Sequence, residues 1–391
     1  MSLSTEHDES VIKIVDDLLH HAISCDASDI HLEPTEQGLR IRFRLDGLLS
    51  DKESLSLSIM DQIISRIKVL SNINIAEKRI PQDGKFRVKN GENEIDLRVS
   101  TFPSIFGEKV VIRILDRSHN LLELDALGFD EVLLEQFKQL INKSSGFFLV
   151  TGPTGSGKTT TLYAALSALN SPEKNIITLE DPVEYNLDGV TQGHIHPQAG
   201  FTFASGMRSL LRQDPDIVLV GEIRDKETAQ IAIEAALTGH LVLSTVHTND
   251  APSVIMRLMD MGIEPFLINA SVTGVLSQRL ARKICSDCKV SYEPTVSQEK
   301  TVLQRLNLKI PHLYKGEGCE HCLGTGYKGR TGIFELLTMS NKLRFLVNKN
   351  PSFVEIYDQS CASGMNPLLS DALQKVEQGI ITLDELVRTV C

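Results

Sequence analysis

Phe147-Phe148-Leu149-Val150-Thr151-Gly152-Pro153-Thr154-Gly155-Ser156-Gly157-Lys158-Thr159-Thr160 decides the fold. Four apolar residues with no polar alternation read as a strand buried on both faces. The glycine-rich turn behind them matches the phosphate-binding P-loop pattern, in the strand–turn–helix setting that motif requires. Its glycines let backbone N–H groups curl around a phosphate, where a helix N-terminus adds positive potential. Lys158 is placed to reach the β- and γ-phosphates of a nucleotide, and the Thr159 hydroxyl to hold Mg²⁺. Gly152 to Thr160 are the candidate nucleotide-binding residues.

Downstream, strands alternate with helices: 175–179, 217–220 and 241–245 are near-continuous apolar runs. The pattern predicts an α/β domain with a parallel sheet covered on both faces. In such sheets the chemistry sits at the C-terminal strand ends. Ile217-Val218-Leu219-Val220 ends in Gly221-Glu222, so Glu222 is expected to orient the attacking water; an acid is missing directly after the apolar run, where Gly221 stands. Either Glu222 serves the metal shell as well or another carboxylate does, and the candidate is Glu180 or Asp181, which close the 175–179 strand before Pro182, where the ladder ends. His247, after Leu241 to Thr245, is a candidate γ-phosphate sensor. Arg208 and Arg212, four apart, are expected on one face of a helix.

Upstream, helical spacing over 11–25, alternating runs at 29–33 and 39–44 up to Asp46-Gly47, a helix near 59–70 and strands at 85–88, 94–99 and 109–115 predict a small α+β domain. The polar stretch 117–125 is the expected linker. The expected division is 1–116, 117–125, an ATPase core at 126–283, a cysteine module at 284–331 and a helical region at 332–391.

The whole chain has 391 residues, 41% hydrophobic and 23% charged, with 40 Lys+Arg against 51 Asp+Glu and a formal charge of -11. That composition suits folded domains. The acidic balance and 5% aromatic content disfavour a nucleic-acid translocase, which needs basic grooves and stacking platforms. No apolar run of eighteen residues and a polar, acidic N-terminus argue against a membrane span or secretory signal, so a cytoplasmic protein is expected. Of seven cysteines, four form two Cys-x₂-Cys pairs, Cys285/Cys288 and Cys319/Cys322. Four thiolates suit structural zinc; an iron–sulfur cluster or four free thiols are the alternatives. The thirty residues between the pairs exceed the usual spacing and call for an inserted hairpin or helix.

Taken together, these motifs resemble the secretion ATPase superfamily, which includes the type II secretion ATPases and the type IV pilus assembly ATPases. Glu180-Asp181-Pro182-Val183-Glu184 resembles its aspartate box. Arg212 to Asp216 with Gly221 to Asp225 resembles its Walker B region, in which glycine at 221 is normal. Gly239-His240 through Asn249 resembles its histidine box, the four cysteines with Gly324 to Gly332 its zinc module, and Ala27 to Glu33 the start of its PAS-like domain. The resemblance implies a RecA-like motor that hydrolyses ATP with Mg²⁺, assembles as a homo-hexamer and works on inner-membrane platform proteins, peripheral to the inner membrane. It also implies that Arg98 and Arg113, which spacing alone would leave structural, approach the nucleotide phosphates, as would Arg208 and Arg212. Asp260 to Ile268 and Arg330 to Ile333 lean towards the secretion branch, with pilus assembly and a non-hydrolysing nucleotide-binding ring as alternatives. Family members carry a further N-terminal docking domain; this sequence starts almost at the PAS-like segment, so a shortened or short member is expected.

Overall fold

The computed structural model describes residues 3–91, 93–115, 122–294 and 310–390. The chain divides into two compact units, Met1–Asn120 and Leu121–Cys391. Most of the expected linker at 117–125 lies outside the described residues.

In the first unit, helices α1 (Leu3–Ser24) and α2 (Leu57–Leu70) cover one face of a sheet. Its strands are β1 (Asp29–Thr35), β2 (Gly38–Leu45), β3 (Leu48–Leu55), β4 (Gln82–Asn90), β5 (Asn93–Ser104) and β6 (Gly107–Leu115), in the antiparallel order β3-β2-β1-β6-β5-β4. Alternation decides the faces. Ile30, Leu32, Ile41, Phe43, Leu97, Val99, Val110 and Ile112 point to the core, where Val15, Leu19, Ile63 and Ile67 of the helices meet them. The opposite face carries a row of charge in register: Arg44, Asp29, Arg113, Arg98 and Lys85 on five successive strands. Strand β3 was not expected; it sits at the sheet edge and none of its residues is buried, so they lack the alternation that marks the core-facing strands.

One ion pair in this unit is fully buried. Lys68 Nζ donates to Glu108 at 2.7 and 3.0 Å and to the Glu77 carbonyl at 2.6 Å. Removing one member of a buried pair strands a charge and costs about 3–5 kcal/mol. Lys68→Ala should therefore lower the unfolding free energy by about that amount in urea titrations, and Lys68→Met with Glu108→Leu should recover most of it.

The second unit is built on a seven-stranded sheet in the order β15-β12-β7-β11-β10-β8-β9. Its strands are β7 (Gly146–Thr151), β8 (Ile176–Glu180), β9 (Thr191–His194), β10 (Ile217–Val220), β11 (Leu241–Val246), β12 (Val272–Ile284) and β15 (Tyr327–Thr338). All pairings are parallel except that of β15 with β12. The short hairpin β13 (Lys289–Tyr292) and β14 (Leu313–Gly316) stands apart. Helices α3 (Glu131–Ile141) and α4 (Lys158–Leu169) pack on one face of the sheet. On the other lie α5 (Phe203–Leu210), α6 (Lys226–Leu237), α7 (Ala251–Asp260), α8 (Pro265–Ser271), α9 (Asn341–Val347) and α10 (Phe353–Ala362). Helices α11 (Leu368–Glu377) and α12 (Leu383–Val390) form a smaller core with Ala281 and Ile333. Burial on both faces explains the unbroken apolar strands.

Two expectations need correcting. The boundary drawn at 331/332 falls inside β15, which completes the central sheet, so 327–338 is part of the fold of the second unit. Its Gly329 and Gly332 hide the strand pattern. Helix α5 stops at Leu210, so Arg212 lies in the turn beyond it and not on a shared helical face.

Candidate nucleotide site

Strands β7, β11 and β10 are neighbours, so their C-terminal ends bring the P-loop, the histidine segment and Glu222 to one edge of the sheet. At the end of β7 the chain turns sharply. Gly152 has φ 142°, and a Cβ there would lie 2.4 Å from the Gln278 carbonyl oxygen, so no side chain fits. Lys158 opens α4, and its ammonium donates to the carbonyls of Gly152 (2.9 Å) and Pro153 (3.0 Å). Burial lowers the Lys158 pKa, while nearby Glu222 pulls it up. Ser156 is buried with no partner for its hydroxyl, whereas Pro153, Thr154, Gly155 and Thr159 are exposed.

Glu222 follows β10. Its Oε1 lies 2.5 Å from an Arg224 nitrogen and its Oε2 3.5 Å from His247 Nε2. Burial first, then Lys158, lowers the His247 pKa against the pull of Glu222, which keeps the imidazole neutral at pH 7. Glu222, His247 and Lys158 thus form one electrostatic cluster. The glycine at 221 has a steric reason: its N–H bonds the Leu179 carbonyl at 2.8 Å, and a Cβ would stand 3.2 Å from that same oxygen.

The other expected residues are engaged in contacts of their own. Glu180 is buried and accepts from Thr178 (2.5 Å), Gln192 (3.2 Å) and the Tyr163 hydroxyl of α4. Its carboxylate therefore ties β8 and β9 to the P-loop helix. Arg208 pairs with Glu227 at 2.5 Å, and Arg212 folds back on the Arg208 carbonyl at 2.6 Å. Arg98 and Arg113 belong to the first unit, side by side on β5 and β6, with Arg113 bonded to Asp29 at 3.1 Å.

Sequence reasoning missed Gln278 and Arg279 on β12. Buried Gln278 donates to the Ser156 carbonyl at 2.6 Å and accepts from Thr161 at 2.9 Å, clamping the P-loop to its helix. Half-buried Arg279 donates to the Asn249 carbonyl at 2.6 Å. Neither carries a motif; only the pairing of β12 with β7 brings them here.

The four cysteines converge. Their sulfurs all lie within 4.8 Å of one another, with 3.8 Å for Cys285–Cys319, 3.9 Å for Cys288–Cys322 and 3.7 Å for Cys319–Cys322. A tetrahedral ion with metal–sulfur bonds of about 2.3 Å sets its ligands about 3.8 Å apart, so the donor set fits. The N–H groups of Cys319 and Gly326 both point at Cys322 Sγ at 3.2 Å, as thiolate ligands require. The β13–β14 hairpin spans part of the long gap between the pairs; 295–309 lie outside the described residues.

The type II/IV secretion system protein family model matches residues 4–388. The chain belongs to that family. It is 48% identical over 388 residues to the type IV pilus assembly ATPase PilB of Thermus thermophilus, which covers 98% of this chain and 44% of that protein. It is 47% identical over 386 residues to the type II secretion system ATPase E of Vibrio cholerae, covering 99% and 76%. The chain thus spans less than half of the first relative and about three quarters of the second. Among solved structures, the pilus retraction motor PilT with bound ADP aligns over 95% of both chains, with a TM-score of 0.64 and 26% identity. The Legionella pneumophila ATPase DotB aligns over 96% of this chain and 94% of its own, with a TM-score of 0.71 and 22% identity, and shares the fold. A PAS-like unit ahead of a RecA-like P-loop unit with a tetracysteine cluster is the architecture. No helix among the described residues is long and apolar enough to cross a membrane.

Proposed function

We propose that this family member is an ATP hydrolase that works as a homo-hexameric motor, driving pseudopilus assembly in type II protein secretion. The observation that carries this is the cluster of Lys158, Glu222 and His247 at adjoining strand ends beside the P-loop. Backbone N–H groups of 154–159 and the Lys158 ammonium bind the phosphates. Glu222 orients and deprotonates the attacking water, and His247 reads the γ-phosphate as a neutral partner. Thr159 would hold Mg²⁺, which would supply charge neutralisation on the phosphates. Arg98, Arg113, Arg208 and Arg212 are read as further cations for the transferring phosphoryl group, and Glu180 as an acid that holds the nucleotide-side strand ends in place. The motor acts at the cytoplasmic face of the inner membrane through platform proteins.

Phosphate release from Mg-ATP by the purified, assembled chain tests the reading; assembly without release would instead favour a nucleotide-binding ring. Type IV pilus assembly is the second reading, since the 48% identity to PilB equals that to a type II secretion system protein E. Complementing strains that lack the secretion ATPase or the pilus assembly ATPase separates the two: only one should regain secretion or pili.

The cysteine module is proposed to hold structural zinc, since protein sulfurs fill all four positions. Chelation, or Cys285→Ser with Cys288→Ser, should unfold 285–322 while the P-loop unit stays folded. Protease mapping and metal analysis read this out, and unchanged thermal stability of the double variant would contradict it.

A further inference from the structure

Glu335 lies on β15, the antiparallel edge of the motor sheet, in a segment no motif singles out. It is 2% exposed. Each carboxylate oxygen accepts one backbone N–H, and the two donors come from different helices. Oε1 accepts from Ala251, the first residue of α7, at 2.8 Å. Oε2 accepts from Leu368, the first residue of α11, at 3.3 Å. The cap residue of α11 is Pro367, which makes no side-chain cap, so the partner for that orphan N–H comes from another strand. An anion between two helix N-termini is favoured by both dipoles.

The four residues before Ala251 are the segment that carries His247. This segment is held at its start by Thr151, whose hydroxyl bonds the Val246 carbonyl at 2.8 Å and accepts from the Thr248 N–H at 2.9 Å. It is held in the middle by Arg279 on the Asn249 carbonyl. It is held at its end by Glu335 on Ala251. His247, four residues before that last anchor, stands 3.5 Å from Glu222. On the far side, α11 packs on β15 and on β14 of the cysteine module's hairpin. A single buried carboxylate therefore spans two elements with different tasks.

We propose that Glu335 is a positioning residue that couples the C-terminal helix α11 to the histidine segment of the nucleotide site. A displacement of α11 frees one of its oxygens, shifts the carboxylate, and loosens the start of α7 and with it the placing of His247 against Glu222. The catalytic half of this inference rests on the ATPase reading above; the structural half does not.

Glu335→Gln is close in shape but turns its amide nitrogen towards one of the two N–H groups, so both anchors cannot persist. In the full chain with Mg-ATP, kcat should fall about tenfold while KM for ATP stays within about twofold. Hydrogen exchange without nucleotide should quicken together at 248–254 and at 368–372, with the rest of the sheet unchanged. Exchange that quickens only at α11, an unchanged kcat in an active protein, or a rise in KM at constant kcat would each overturn the proposal. Joint quickening of exchange in Glu335→Gln, where the wild-type protein itself releases no phosphate, would instead sink the ATPase reading and leave the coupling standing. Should Glu335→Gln not fold, Glu335→Asp keeps the charge, is one methylene shorter, and is judged by the same two measurements.

Discussion

Glu222→Gln should bind ATP nearly as well as the unchanged protein and release phosphate about a hundred to ten thousand times more slowly, the range general acid–base catalysis supplies. The substitution keeps the side chain's size and its ability to accept from Arg224, which stands 2.5 Å away, and it removes only the charge and the proton-accepting lone pair. The neighbourhood sharpens the expectation. Neutral His247 lies on the second oxygen, and Lys158 feels the carboxylate's charge. Loss of that charge should lower the Lys158 pKa further, though a bound triphosphate would restore it. Binding and turnover should thus separate cleanly when nucleotide titration is set beside phosphate release. Unimpaired turnover would remove Glu222 from the base position, and the next carboxylate to examine would be Asp181.

How far the sequence goes can be argued from the same residues. The P-loop was legible because its chemistry demands glycines and a lysine at fixed spacing in one stretch, and Glu222 and His247 because they end apolar strands. The cysteines were legible as pairs, and their convergence follows from β12 delivering Cys285 next to the hairpin that precedes Cys319. What the sequence hides depends on lateral pairing. Gln278, Arg279 and Glu335 act across strands on partners at 156, 161, 249 and 251, which lie between 30 and 122 residues away in the chain. Tyr163 reads as one more apolar helix position, yet its hydroxyl meets Glu180. Strand β15 is masked by glycines, and Arg212 by a helix that ends two residues early.

The other large effect belongs to Lys158. In the structure its half-buried ammonium donates to the carbonyls of Gly152 and Pro153, a placement that ties it to the start of the loop. A phosphate oxygen offers that cation a full negative charge where the carbonyls offer partial ones. Hydrogen bonds to ionised partners contribute about 1.5–3 kcal/mol each, and two such bonds in Lys158→Ala correspond to a loss of about a hundred- to ten-thousand-fold in ATP affinity, at 1.4 kcal/mol per tenfold. Calorimetric titration with Mg-ATP measures it directly. Lys158→Arg is the control for charge: its planar, forked head cannot place a point charge in the same curl, so affinity should recover only in part. Tight ATP binding by Lys158→Ala, in protein that retains the wild-type unfolding transition, would mean that this loop does not hold the triphosphate.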